Sequence, residues 1–380
     1  MTFNFFLRKR EERILQFFNK SRVPVLLTLR KMLVHFWLSA SEVKLRRTYQ
    51  PNLEGEKILF KKVLTVCMSL ALTAGLAACG NGSNNASGSA ASSTGEDKTA
   101  AAGYAPKELT VQFVPSQNAD TLEAKAKPLE KLLGDKLGIP VHVSVSPNYN
   151  TIIEAMTAKQ VDVGFLPPNA YVLAHDVKKS ADLLLQAQRY GVEEATGQPT
   201  EEKVDFYRSL ILVKKDSGIK KLEDLKGKKM GWQDVTSSAG YVFPAAAMIK
   251  AGMNPDTDVQ GVTLKGHDQA VLALLNGQVD AVAVFQDARN TVKKDVPDVF
   301  DKTEILFATD KIPNDTVSVR SDMTQEWKDK IADAFIAIGN DPEGQKVIND
   351  VYTHVGYTKG DDANFQIVRE SAEAVGQKIQ

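Results

Sequence analysis

A run of polar and hydroxyl residues, Asp234-Val235-Thr236-Ser237-Ser238-Ala239-Gly240, stands between a short apolar segment and an apolar helical segment that extends to Lys250. Hydroxyl groups at a helix start cap the first backbone N–H groups, which have no acceptor inside the helix. The same N–H groups, at the positive end of the helix dipole, bind small oxyanions. The run therefore predicts either an ordinary helix cap or a phosphate-like anion site that needs no Lys or Arg.

The charge distribution separates an N-terminal segment from the rest of the chain. The 380 residues hold 47 Lys and Arg against 47 Asp and Glu. Residues 1–78 contain 14 of the basic and 5 of the acidic residues, so the remainder has 33 basic and 42 acidic side chains. Because nucleic-acid binding requires a basic face, this acidic body argues against a nucleic-acid partner.

The basic pair Lys61-Lys62 and the apolar run at 63–76 form a signal-peptide pattern, which we assign to residues 57–78. The run ends in Leu76-Ala77-Ala78-Cys79, which resembles a bacterial lipobox. The resemblance implies that Cys79 is lipidated and anchors the protein to the outer face of the cell membrane, as on a Gram-positive surface. A transmembrane helix is the weaker alternative, since the apolar run is short for a span.

Residues 79–106 are rich in Gly, Ser, Asn and Ala, which is typical of a flexible tether. Residues 1–56 fit neither signal peptide nor tether, so we regard this extension as doubtful. Glu54-Gly55-Glu56 can be encoded by a purine-rich ribosome-binding sequence, and Leu59 by a TTG start codon, which would make residues 1–56 a product of a misplaced start. The alternative is a basic extension on the membrane surface, with Arg8-Lys9-Arg10 beside aromatic residues.

From residue 109 onward, short apolar segments alternate with helical segments, a pattern typical of layered α/β domains. One continuous helix is predicted over 119–137 and one strand over 207–213. The order of the elements predicts two lobes joined by two chain crossings. We assign the first lobe to residues 107–215 and 311–380, and the second to residues 216–310.

Several stretches of this body resemble the phosphate, phosphite and phosphonate-binding lipoproteins of ABC importers. The resemblance extends from about Leu109 to the C-terminus, in the order and spacing of that family. It implies a type II periplasmic-binding fold, an α/β architecture in which two lobes close on a ligand in the cleft between them. The stretches are Pro115-Ser116-Gln117, 149–156, 161–165, 207–218, 222–229, 236–244, 267–270 and 279–281.

The resemblance places the ligand oxyanion at the helix start, against Thr236, Ser237, Ser238 and the N–H group of Ala239. The family more commonly has Ser or Thr at the position of Ala239, so one side-chain contact is expected to be missing. Tyr149 matches a cleft tyrosine of the other lobe, where a phenol O–H can donate to an oxygen. Taken alone, Tyr149 is equally consistent with a surface tyrosine at a helix entry.

Further residues match family positions in the cleft: His267, which the family uses as a ligand contact, and the acidic Asp287 and Asp315. Taken alone, His267 is more typical of a capping or surface residue, and Asp287 and Asp315 are also consistent with a helix cap or a turn residue. Two carboxylates beside an oxyanion would repel a fully deprotonated anion and accept a hydrogen bond from P–OH, or bind an ammonium group. This favours phosphite, phosphonate or aminoalkylphosphonate over sulfate, which has no proton near neutral pH.

The resemblance implies a solute-binding lipoprotein, not an enzyme, which captures a phosphorus oxyanion and delivers it to the permease and ATPase subunits of an ABC importer. The alternatives are a binding protein for phosphate or another small solute, a ligand-sensing lipoprotein, and a surface phosphatase. The sequence lacks a Gly-x-Ser-x-Gly elbow and a Cys after Cys79, and His142, His175 and His354 lack metal-ligand spacing. We therefore expect no metal, no cofactor and a monomeric protein.

Overall fold

The computed structural model describes residues 103–193 and 196–379. All of them belong to one compact unit, Glu96–Gln380. The signal peptide, Cys79 and most of the tether lie outside the described residues, so their assignments stay predictions. Within the described ranges, no helix is long and apolar enough to cross a membrane.

The framework of the described region consists of β-strands arranged in three sheets. In chain order the strands are β1 (Leu109–Phe113), β2 (Val141–Val145), β3 (Val163–Leu166), β4 (Ala181–Val192), β5 (Pro199–Val204), β6 (Phe206–Tyr207), β7 (Ser209–Lys214), β8 (Lys229–Trp232), β9 (Gln260–Thr263), β10 (Ala281–Phe285), β11 (Thr303–Ala308), β12 (Ile312–Pro313), β13 (Thr316–Arg320) and β14 (Gly356–Lys359).

Helices connect these strands. The α-helices are α1 (Ala119–Ala126), α2 (Leu129–Leu137), α3 (Tyr149–Thr157), α4 (Pro168–Val172), α5 (Phe243–Lys250), α6 (His267–Leu275), α7 (Ala288–Val292), α8 (Val299–Lys302), α9 (Gln325–Asn340), α10 (Pro342–Tyr352) and α11 (Gln366–Ala374). Two π-helical turns, Leu173–Val177 and Ser238–Val242, and two 3₁₀ turns, Leu222–Leu225 and Asp362–Phe365, complete the set.

The two larger sheets share one plan, and each belongs to one lobe of the type II periplasmic-binding fold. Sheet A of the first lobe has the order β14-β4-β13-β3-β1-β2, with β5 paired to β4. Sheet B of the second lobe has the order β11-β7-β10-β8-β9. In sheet A, strands β3, β1 and β2 run parallel, and β13 pairs antiparallel with β3. In sheet B, strands β10, β8 and β9 run parallel, and β7 pairs antiparallel with β10. Strands that alternate with helices fold into such parallel cores.

A two-stranded antiparallel sheet joins the lobes. It pairs Tyr207 of β6 with Ile312 of β12, and Phe206 with Pro313. The strand that the sequence predicts over 207–213 is thus divided, with β6 at the crossing and β7 inside sheet B. The predicted lobe assignment gives β7 to the first lobe, whereas its antiparallel pairing with β10 and β11 gives it to the second.

The single helix predicted over 119–137 is two helices, α1 and α2, separated at Lys127 and Pro128. Proline has no N–H to donate to the carbonyl four residues earlier, which interrupts the hydrogen-bond ladder of a helix. Helix α2 then ends at Gly138, whose φ of 70° gives a left-handed cap. The apolar periodicity continues through both helices, which is why it predicts a single element.

Aromatic packing fills the core of the first lobe. The ring of Phe165, on β3, stacks on Phe113 of β1 with centroids 4.2 Å apart. Two further rings pack edge-on against Phe165: Phe335 of helix α9, with ring centroids 5.4 Å apart, and Tyr352, with centroids 6.5 Å apart. This cluster joins the sheet to the helix that covers it, and Tyr352 lines the cavity described below.

We expect Phe165→Ala to lower the free energy of unfolding by about 3–5 kcal/mol, because the truncation leaves a cavity among these rings. Val235→Ala is the control, since the Val235 side chain is 59% exposed. Its effect should stay within about 0.5 kcal/mol. Urea unfolding of both variants checks the prediction, and equal losses in the two would contradict it.

Candidate ligand-binding site

Residues that follow the carboxyl ends of parallel strands in both sheets line one cavity. From sheet A, Ser116 follows β1 and Pro167 follows β3. From sheet B, Ser237 follows β8 and His267 follows β9. Open α/β sheets bind ligands at this end, where the strand order reverses.

The cavity between the lobes encloses about 40 Å³. A single water molecule needs roughly 10–15 Å³ on a comparable measure, so the space fits a ligand of few heavy atoms. The polar residues that the first lobe and the crossing strand β6 contribute to its wall are Ser116, Gln117, Tyr149, Arg189, Tyr207, Asp315, Tyr352 and Thr353. The second lobe contributes Ser237, Ala239, His267 and Phe285.

Asp234 builds the turn that follows strand β8. Its Oδ1 accepts hydrogen bonds from the Thr236 backbone N–H at 2.9 Å and from the Thr236 hydroxyl at 2.6 Å. Its carbonyl accepts from the Ser237 N–H at 2.8 Å. Asp side chains commonly stabilise turns in this way. The Thr236 hydroxyl is therefore committed to the turn and does not line the cavity.

Ser237 caps the helix that begins after this turn. Its Oγ accepts from the Gly240 N–H at 3.1 Å. The N–H groups of Ser238 and Ala239 lie in the first turn of the helix, where no carbonyl of the helix can accept a hydrogen bond from them. No other residue in the described ranges accepts a hydrogen bond from either group. Two free donors thus stand at the positive end of the helix, where Ser237 and Ala239 form the cavity wall.

The Ser238 hydroxyl contacts the first lobe. Its Oγ accepts from the Asn169 N–H, in helix α4, at 2.9 Å, and the Ser238 side chain opposes the burial that raises the pKa of Tyr207. The Asn169 side-chain amide also donates to the Thr236 carbonyl at 3.2 Å. These bonds attach the turn of the second lobe directly to the first lobe.

The turn requires Gly240 because of its close contact with Gln233. A Cβ on Gly240 would lie 2.2 Å from the Cβ and Cγ of Gln233. The Gln233 side chain in turn holds Gly266, donating to its carbonyl at 2.9 Å and accepting from its N–H at 3.0 Å. Gly266 has a φ of 93°, which glycine adopts most readily, and it directly precedes His267. Gln233 therefore fixes the loop that positions His267.

His267 is only 3% exposed and begins helix α6. Its backbone N–H donates to the Ser116 carbonyl at 2.8 Å, and its ring packs edge-on against Phe285 with centroids 4.7 Å apart. Burial lowers the pKa of His267 to about 3, against an opposing effect of the Asp315 carboxylate, so the imidazole is neutral near neutral pH. Its Nδ1 is buried without a hydrogen-bond partner among the described residues, which leaves it available to a ligand.

Three buried tyrosines, Tyr149, Tyr207 and Tyr352, surround the cavity. Burial raises the pKa of each phenol above its usual range, so each hydroxyl keeps its proton. Tyr149 lines the cavity beside Ser237, whose side chain opposes the rise in the Tyr149 pKa, and Tyr352 donates to the Val114 carbonyl at 2.5 Å. Tyr149 therefore lies near the 234–240 turn, the candidate oxyanion turn.

Asp315 contributes a carboxylate to the cavity wall. Its Oδ2 lies 3.4 Å from Nε2 of His354, a residue buried in the first lobe. Burial lowers the pKa of His354, and the nearby Asp315 carboxylate opposes this effect. The same carboxylate contributes to the raised pKa values of Tyr149 and Tyr207. Asp315 thus offers the cavity a hydrogen-bond acceptor among neutral donors.

Arg189 and Asp287 form a buried ion pair beside the cavity. The Arg189 Nη1 and the Asp287 Oδ1 are 3.1 Å apart, and the two side chains are 6% and 9% exposed. The guanidinium also lies over the Tyr207 ring, 4.8 Å from its centroid. The sequence predicts Asp287 as a carboxylate that faces the ligand, whereas in the structure Arg189 balances its charge and only Arg189 lines the cavity.

The structure divides the site residues predicted from the sequence into three groups. Those in the cavity wall are Tyr149, Ser237, Ala239, His267 and Asp315. The hydroxyls of Thr236 and Ser238 stabilise the turn through hydrogen bonds to Asp234 and Asn169. Asp287 is paired with Arg189. Within residues 103–193 and 196–379, no three side chains cluster as metal ligands.

Three wall residues, Arg189, Tyr207 and Tyr352, are not predicted from the sequence. Arg189 lies on β4, where apolar and polar side chains alternate from residue 185 to residue 188. The charged Arg189 then stands at a position where this pattern predicts an apolar side chain, which is a usable signal. Tyr207 and Tyr352 lie at the ends of a strand and a helix. Local pattern does not distinguish such residues from ordinary core aromatics.

Two α/β lobes, a pair of crossing strands and a small polar cavity between the lobes define a two-lobed solute-binding protein of the type II periplasmic-binding class. Residues 111–365 match the family model described as "ABC transporter, phosphonate, periplasmic substrate-binding protein", and the chain belongs to this family. Members of this family are the solute-capturing components of ABC importers and not enzymes. The protein captures a solute for such a transporter.

Individual relatives agree with this assignment. The chain is 28% identical over 298 residues to the phosphate-import protein PhnD of Mycolicibacterium smegmatis, which covers 76% of this chain and 82% of that protein. It is 25% identical over 246 residues to the phosphonates-binding periplasmic protein of Escherichia coli, covering 64% and 69%. The structure of PhnD1 from Prochlorococcus marinus in complex with methylphosphonate has a TM-score of 0.61 at 15% identity, covering 72% of this chain and 100% of that one. This last likeness concerns the fold alone.

We expect Gly240→Ala to lower the free energy of unfolding by about 1–3 kcal/mol, since the new methyl group must displace Gln233. Gly134→Ala is the matched control. It lies within helix α2, where an added Cβ would come no closer than 3.4 Å to its nearest neighbour. That substitution should stabilise the protein by about 0.5–1 kcal/mol. Urea unfolding checks both, and a neutral Gly240→Ala would contradict the close contact.

Buried His267 should make the stability of the protein depend on pH. Its pKa is about 3 in the folded state and about 6.5 in an unfolded chain. The unfolded state therefore takes up the proton first, so stability is lost as the pH falls below about 6.5. Relative to His267→Gln, the unaltered protein should lose up to about 1.4 kcal/mol more per pH unit in that range.

The measurement is the free energy of unfolding from urea titrations at several pH values. His142→Gln is the control, because the His142 side chain is 61% exposed. It should follow the pH dependence of the unaltered protein. Parallel curves for His267→Gln and the unaltered protein would show that His267 is not held neutral.

Proposed function

We propose that this protein binds a small phosphorus oxyanion, of phosphonate or phosphite type, in the cavity between its lobes. The observation that carries the proposal is the pair of free N–H donors at Ser238 and Ala239, which lie at a helix start beside a cavity of about 40 Å³. Helix starts of this kind bind oxyanions through backbone N–H groups and the helix dipole. The small volume supports a ligand with few atoms beyond the phosphorus group.

The protonation states of the wall residues favour a ligand that still carries a proton. Neutral His267 and the Tyr149 phenol can donate to oxyanion oxygens, while the Asp315 carboxylate can only accept. A P–OH group satisfies Asp315, whereas a ligand without a proton would face its negative charge. This supports phosphite, phosphonate or phosphate over sulfate.

Phosphate is the second candidate. One relative, at 28% identity, is named a phosphate-import protein. Phosphate also carries a P–OH group near neutral pH and needs little more room than phosphite. Comparison of the two ligands on the same preparation separates the candidates.

Delivery would proceed by lobe closure and opening about the β6–β12 crossing. Contacts across the cleft support this view: the His267 N–H donates to Ser116, and the Asn169 N–H donates to Ser238. Opening the lobes would break these bonds and separate Tyr149 from the oxyanion turn. The ligand would then be exposed to the permease, which the ATPase subunits of the importer drive from the cytoplasmic side.

The protein would act at the outer face of the cell membrane. A lipid on Cys79 would anchor a monomer to the cell membrane on its extracytoplasmic side, with residues 79–106 as a tether. Signalling to a membrane kinase is the alternative use of the same binding event. Deletion of the neighbouring permease gene separates the two, since only an importer would then lose uptake of the ligand.

We expect Tyr149→Phe to weaken binding of methylphosphonate, phosphite or phosphate by about tenfold to a hundredfold, because it removes one donor to a charged oxygen. Isothermal titration against these three ligands and sulfate measures the effect. Tyr241→Phe is the matched control, since it also removes a phenol hydroxyl, one that lies 3.3 Å from Asp256. Equal affinity in the two variants would place the ligand elsewhere.

A further inference from the structure

Arg189 lies between the ligand cavity and a larger neighbouring groove. The groove encloses about 500 Å³, and the cavity about 40 Å³. Arg189 and Thr353 line both spaces, whereas Asp287 lines only the groove. The Arg189 side chain therefore forms part of the partition that keeps the cavity small.

The guanidinium of Arg189 is held in place. Its Nη1 donates to Asp287 at 3.1 Å, and its plane lies against the Tyr207 ring. Its Nε is buried and has no hydrogen-bond partner among the described residues. A fixed cation with one unused donor thus stands in the cavity wall.

We propose that Arg189, held by Asp287, is a specificity-determining residue that admits phosphorus oxyanions with a short, uncharged substituent and rejects those that carry an ammonium group. The inference rests on the proposed function of the cavity. It deepens that proposal by assigning the ligand class to one residue.

Two physical effects support this role for Arg189. The first is size, because a longer substituent would have to pass Arg189 to reach the groove. The second is charge. An ammonium group in the cavity would lie near a guanidinium, and like charges in a buried site repel strongly. The Asp287 carboxylate that could compensate this charge is already paired.

The remaining charges of the site are consistent with this selection. Asp315 would accept from a P–OH group, and because Asp287 is paired with Arg189, Asp315 is the carboxylate of the cavity wall that would have to bind an ammonium group as well. Because removing one partner of a buried ion pair leaves an uncompensated charge, the test needs a variant that removes both partners.

The experiment is isothermal titration of the purified full chain with methylphosphonate, propylphosphonate and 2-aminoethylphosphonate. Propylphosphonate matches the aminoethyl ligand in length but has no charge. The unaltered protein should bind methylphosphonate at least about tenfold more tightly than either longer ligand. Lys346→Ala, a change within the groove but outside the cavity, should keep this ratio.

Arg189→Ala opens the partition and frees the Asp287 carboxylate. Relative to methylphosphonate, binding of 2-aminoethylphosphonate should improve by at least about tenfold. The double variant Arg189→Ala, Asp287→Ala opens the partition without a free carboxylate and without an unpaired buried charge. It should improve binding of propylphosphonate only, and it tests the size effect even if the single variant fails to fold.

The outcomes separate this inference from the proposed function. If the unaltered protein binds 2-aminoethylphosphonate as tightly as methylphosphonate, Arg189 does not select and the inference is wrong, while the proposed function stands. Unchanged ligand ratios in the double variant would overturn the inference in the same way. If no phosphorus ligand binds the unaltered protein, the proposed function is wrong, and the inference falls with it.

Discussion

The binding cavity depends on the way the chain turns after strand β8. Asp234 fixes the turn and Ser237 caps the helix, which leaves the N–H groups of Ser238 and Ala239 without an acceptor among the described residues. Unsatisfied N–H groups are costly in a buried place unless a ligand or water accepts from them. Contacts with the rest of the molecule therefore stabilise the turn: Gly240 packs closely against the Gln233 side chain, and the Asn169 N–H donates to the Ser238 hydroxyl.

Burial controls the charges around this turn. Desolvation keeps His267 neutral and the surrounding phenols protonated, so the wall supplies hydrogen-bond donors without additional positive charge. The one wall cation, Arg189, is compensated by Asp287. Asp315 remains as the acceptor. The wall therefore combines neutral donors, one compensated cation and one acceptor.

Neither lobe contains a complete site. The second lobe provides the oxyanion turn and His267, while the first provides Tyr149, Arg189 and Asp315. Hydrogen bonds from His267 to Ser116 and from Asn169 to Ser238 connect the two halves. The short β6–β12 sheet carries both crossings of the chain between the lobes.

The sequence by itself determined the α/β class and the family, and it predicts an anion site at the 234–240 turn. These depend on local periodicity, turn residues and motif order, which neighbouring residues encode. Only the tertiary structure decided that Ser237 faces the cavity while the Ser238 hydroxyl does not, and that strand β7 belongs to the second sheet. It also decided that Asp287 is neutralised by Arg189, 98 residues away in the chain. Which partner a side chain meets depends on segments that are distant in sequence, and no local pattern contains that information.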